Sequence, residues 1–190
     1  MPKQYPYYMP TLSDRPLPDD ILVQIAKIVR QFSEFEFVLN LHLCQLTNLM
    51  PYQLDALIGT TSLSRRISMA RKLAALRDED VFTRLQDDFF KTGFRQVQSI
   101  RNHVAHGTYI GTSVEKGVNF YYFLTQSTTT DTKDRIASVV ECLGENAIKN
   151  AADYCQANFP LFQDAMNLKP FREKLLQEGL QRHRKAHPTR

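Results

Sequence analysis

The chain has no apolar run that approaches membrane-spanning length, and its first residues lack the apolar core of a signal peptide. A cytoplasmic protein without membrane contact is therefore expected. Cysteine is scarce and odd in number: Cys44, Cys142 and Cys155 stand far apart, without metal-ligand spacing. They read as buried thiols of a reducing compartment, which excludes a disulfide frame and a zinc site. No glycine-rich loop is present to cradle a phosphate, and no segment repeats at a fixed period. A helix-turn-helix signature is missing too, which weakens the reading of a ligand-binding transcriptional regulator. Neither a cofactor nor a metal ion is expected.

What is present fits a globular chain. Its 190 residues, 43% hydrophobic and 23% charged, are enough for one domain with tails and a proper core. The net charge of +4 favours polyanionic partners only weakly, because part of the excess sits in the tail from Arg182 to Arg190.

Residues 1–18 hold five prolines and three tyrosines, a density that prevents a helix and favours an extended arm. This arm is either a frayed terminus or a strap laying its tyrosines on the domain or on a second copy. Asp19 and Asp20 then open a helix with the apolar stripe Ile21, Ile25, Ile28, Phe32, Phe35, Leu39, Leu43 and Leu46. A second apolar set, Phe37, Val38 and Leu41, faces elsewhere, so this helix contacts two surfaces or an oligomer interface. Glu36 falls inside the stripe and needs a partner or an edge position. Thr60-Thr61-Ser62 caps a helix through about Leu76. Its Arg65, Arg66, Arg71 and Lys72 form a solvated face or an RNA-backbone contact.

The pattern after Gly107 changes to β-branched and aromatic residues, with Glu115-Lys116-Gly117 as a turn. A small hairpin or strand-containing loop is expected there. Tyr109 in it either stacks on a base or packs under the loop. A long helix is read from Ile136, Val139, Val140, Leu143 and Ala147, kinked or broken at Phe159-Pro160. A last helix runs from Pro170 to Gln181. The expected fold is all-α: a bundle of four or five helices with that one β excursion. Its divisions are an arm over 1–18, a helical domain over 19–168, and a C-terminal helix with basic tail over 169–190.

The chain is organised around Arg101-Asn102-His103-Val104-Ala105-His106-Gly107. Phe90, Phe94, Val97, Ile100 and Val104 recur at helical spacing, and Gly107 supplies a stop by relaxing into the left-handed region. The stretch therefore closes a helix that starts at about Thr83. At roughly 100° per residue, Arg95, Ser99, Asn102 and His106 share a polar face. There Asn102 can reach an imidazole nitrogen of His106 four residues on. Arg101 lies in the apolar arc, about 140° from His106. Glu36 and Arg101 are thus the two charges inside apolar arcs. Either they pair, within a chain or across a dimer, or each reaches water alone. A purely structural role is open as well: Asn102 and His106 cap the helix while Arg101 ties helices together.

Arg101-Asn102, three residues, then His106 and Gly107, closing a helix of a small helical domain, resembles the higher eukaryote and prokaryote nucleotide-binding (HEPN) superfamily. The resemblance implies a metal-independent endoribonuclease of a toxin–antitoxin or defence system. It assigns phosphate stabilisation to Arg101, orientation to Asn102 and proton transfer to His106. Glu36, Arg95, His103 and Tyr109 are the supporting candidates. A homodimer, an RNA substrate and an antitoxin or other partner protein are implied with it. The alternative is a catalytically silent HEPN-like dimer serving as an interaction or nucleotide-binding module.

Overall fold

The computed structural model describes residues 11–77, 90, 93–127, 137–166, 168, 173, 176–177 and 181. The expected helix start at Thr83 lies outside these residues, as do the expected helix start at Ile136, most of the expected C-terminal helix and the basic tail. Five helices are described: α1 (Asp19–Thr47), α2 (Pro51–Ile58), α3 (Leu63–Leu76), α4 (Phe94–His106) and α5 (Glu145–Ala165). Three strands, β1 (Thr108–Glu115), β2 (Val118–Ser127) and β3 (Ala137–Gly144), form one antiparallel sheet in the order β1-β2-β3. The all-α expectation is therefore corrected to a mixed α/β fold.

The error has a physical source. Val139, Val140, Leu143 and Ala147 fit a helical spacing, but the first three belong to a strand paired to β2 from Phe120↔Gly144 to Ser127↔Ala137. β-branched residues fit a pleated sheet better than a helix, and Glu145 rather than Ile136 opens the helix that follows. Asn119 Nδ2 donates to Glu145 Oε2 at 2.7 Å, tying that helix start to β2. Pro160, expected to kink or break this helix, sits inside it on an exposed position, and α5 continues to Ala165.

The chain divides into two compact units, Met1–Val29 with Arg95–Cys155, and Arg30–Phe94 with Gln156–Arg190. The first holds the sheet, with Tyr121, Phe123 and Leu143 buried in it and Ile21, Ile28, Val97, Ile100 and Ile148 buried on its helices. Lys116 and Gly117, both at positive φ, close the expected hairpin between β1 and β2 in two residues. The second unit is built on phenylalanine. Phe35 on α1 packs against Phe162 at 4.5 Å between ring centroids, Phe94 at 5.0 Å and Phe159 at 5.1 Å.

In the second unit Glu36 has a partner that the sequence did not suggest. Arg66 of α3 donates through Nη2 to Glu36 Oε2 at 3.2 Å and through Nη1 to Asn40 Oδ1 at 3.0 Å. So Arg66 is not part of a solvated face, although Arg65 and Lys72 are exposed as such a face requires. Arg71 lies with its guanidinium 5.0 Å from the centre of the Phe90 ring. Two of the cysteines, Cys44 and Cys155, are buried as expected, but Cys142 on β3 is exposed.

Candidate functional site

Helix α4 ends at His106, where the Gly107 N–H donates to the His103 carbonyl at 2.8 Å. Gly107 does not take the left-handed conformation expected of it. Its bareness serves a close approach instead: a Cβ there would meet Phe123 Cβ and Thr125 Cγ2 of β2, each at 3.1 Å. The glycine thus lets the helix pass directly into β1 against the sheet.

Three residues of the last turn and a half converge. Arg101 Nη1 lies 3.1 Å from His106 Nε2 and donates to Asn102 Oδ1 at 3.2 Å. The length of the arginine side chain bridges the wide angle between positions 101 and 106, so the two meet within one chain. A guanidinium only donates, so the contact with His106 needs a lone pair on Nε2 and the imidazole proton on Nδ1. Asn102 orients the arginine, where an orienting contact to the imidazole was expected. Asn102 and His106 are exposed and Arg101 is half-buried, so a ligand can reach the cluster from solvent.

His103 occupies a different position. Its Nε2 is 3.3 Å from Ser99 Oγ and 3.7 Å from Glu141 Oε1 of β3, while Nδ1 is buried without a hydrogen-bond partner among the described residues. A nucleophile–base–acid relay needs the hydroxyl and the carboxylate on opposite ring nitrogens. Here both address Nε2, so this trio ties α4 to the sheet and lacks relay geometry. Glu141 became visible only once 137–144 is known to be a strand.

Tyr109 packs its ring 5.9 Å from that of Phe123 and donates from its hydroxyl to the Arg15 carbonyl at 2.8 Å. Burial pushes its phenol up. The residue thus anchors the described part of the arm. Arg95 is exposed and lies eleven residues before His106, roughly 16 Å along the helix axis, so it is not brought to the cluster. Glu36 lies in the second unit, where it accepts from Arg66.

Among the described residues, no three His, Cys, Asp or Glu side chains group as metal ligands, and no helix is long and apolar enough to cross a membrane. A cavity of about 320 Å³ lies in the second unit, lined by Phe37, Leu41, Leu54, Ile58 and Arg66 among others. It contains none of the three converging residues. Set against protein-family models, curated proteins and solved structures, the chain matches none of them.

Proposed function

We propose that this protein is a HEPN-type, metal-independent endoribonuclease that acts in the cytoplasm as a homodimer. The observation that carries the reading is the single Arg101 nitrogen held between Asn102 Oδ1 and His106 Nε2. A guanidinium and an imidazole, a donor-only fork and a group that can accept or give a proton, stand within one hydrogen bond of each other, within reach of solvent.

RNA cleavage without a metal needs a base for the 2′-hydroxyl proton, a cation for the phosphorane and an acid for the leaving oxygen. An entering phosphodiester competes for Arg101, because two of its oxygens match the guanidinium fork. As the arginine turns to the phosphate, the Nε2 lone pair of His106 is released beside it and accepts the 2′-hydroxyl proton. The 2′-oxygen bonds to phosphorus, the bond to the 5′-oxygen breaks, and that oxygen takes a proton from the acid. The products are a 2′,3′-cyclic phosphate and a 5′-hydroxyl. A second copy of the motif across a two-fold axis supplies the acid, and a protein antitoxin is the partner such an enzyme implies.

One observation favours the silent interaction module instead: while Arg101 holds Nε2, the imidazole cannot accept a proton there. A cleavage assay on a broad RNA panel separates the two. Arg101→Ala and His106→Ala should each lower kcat/KM at least about 10²-fold. A wild type inactive on every RNA makes the module the better account.

A further inference from the structure

The arm docks on β1, the strand that follows the cluster in the chain. Ser13 pairs with Thr112 of β1 in antiparallel fashion, its N–H donating at 2.8 Å and its carbonyl accepting at 3.1 Å. Antiparallel pairing sends the chain from Ser13 toward the Thr108 end of β1, which follows His106 by two residues. Two residues after Ser13, the Tyr109 hydroxyl holds the Arg15 carbonyl at 2.8 Å. Beyond it, Asp20 is fixed by Lys149 of α5 at 3.5 Å. The segment from Ser13 to Asp20 is thus tied at three points within one compact unit.

The sequence of β1 accommodates this strap. Gly111 sits at φ +142°, next to the irregular pairing between Tyr109 and Gly111. A Cβ at that position would meet Leu12 Cβ at 2.9 Å and the Ser13 carbonyl at 3.0 Å, so a side chain there forces the arm to shift. The strap presents Arg15 as an exposed cation, held by its own backbone three residues past the motif histidine.

We propose that Arg15 is a second phosphate-binding residue of the site, contacting the RNA backbone beside the phosphate held by Arg101, with Tyr109 and Gly111 as its positioning residues. The inference rests on the ribonuclease reading and deepens it. Two arginines, one on α4 and one on a clamped strap, grip successive positions of a single strand through charge and not through base identity.

The test is equilibrium binding of a single-stranded RNA to the full chain in a His106→Ala background, measured across a salt series. Each phosphate contact to a single strand adds about 0.7 to the slope of log K against log salt. Arg15→Ala should therefore flatten the slope by about 0.7 on every RNA sequence alike, and Arg15→Lys should restore it. Tyr109→Phe, which keeps the ring and loses the hydroxyl, should flatten it in the same direction. RNA binding with a slope unchanged by Arg15→Ala overturns the inference and leaves the ribonuclease reading standing. An unaltered slope in Tyr109→Phe with a lowered melting temperature assigns the strap to stability alone and overturns its positioning role. No RNA binding by the parent protein defeats both readings.

Discussion

Burial at His42 illustrates how one residue ties stability to pH. Its side chain is 1% exposed in the second unit, and desolvation of the charged form pushes its imidazole down to about 4 from 6.5, with Gln45 opposing the shift. The folded value lies below the unfolded one, so the unfolded chain takes the proton first as the pH falls. The folded state is then disfavoured progressively from about pH 6.5 to pH 4, by on the order of 3 kcal/mol, and no further below that window. Denaturant unfolding at stepped pH should show this loss in the wild type and not in His42→Gln. Parallel curves for the two proteins would rule it out. His106 plays the opposite part: it is exposed, and what matters there is which nitrogen carries the proton. Arg101 reaches it because the arginine fork has five donors on a long stem, enough to serve Asn102 and His106 from one nitrogen.

Helix α1 carries the second unit through Phe35, which is fully buried and, among the described residues, meets the rings of Phe32, Phe94, Phe159 and Phe162. Phe35→Ala removes those ring contacts and leaves a cavity, so it should destabilise the protein by about 3–5 kcal/mol in reversible unfolding. A cost below about 1 kcal/mol would mean that the aromatic cluster does not hold this unit together. The same helix was legible in the sequence. Its stripe keeps the 3.6-residue period from Ile21 to Leu46, about seven turns, and every member except the half-buried Ile25 is buried. The hairpin was legible too, because Lys116-Gly117 suits a tight turn and the flanking residues suit strands. β3 was not, since Val139, Val140 and Leu143 stand at the i, i+1, i+4 spacing of a helix and only pairing to β2 makes them a strand. Arg66 as the partner of Glu36, and the docking of Ser13 on Thr112, are contacts between positions far apart in sequence. No local pattern encodes such contacts. At the site, the sequence located all three converging residues. It overestimated the separation of Arg101 and His106, because helix angles describe Cα directions and ignore side-chain length.

At the scale of the whole molecule, the contact between Arg101 and His106 within one chain makes a prediction for mixed assemblies. If the two act as a unit in cis, exchanging Arg101→Ala with His106→Ala protomers restores no intact pair in any dimer. RNA cleavage by the mixture should stay at the level of the separate variants. Recovery to about a quarter of wild type is what random pairing gives when Arg101 of one subunit serves His106 of the other. The chemistry itself is tested most directly by the ends of the RNA fragments released in excess EDTA. The account predicts 2′,3′-cyclic phosphate and 5′-hydroxyl ends, lost in His106→Ala and lost when the nucleotide at the cleavage position carries a 2′-deoxy sugar. Cleavage that stops in EDTA, or that leaves 3′-hydroxyl and 5′-phosphate ends on a 2′-deoxy substrate, would contradict it.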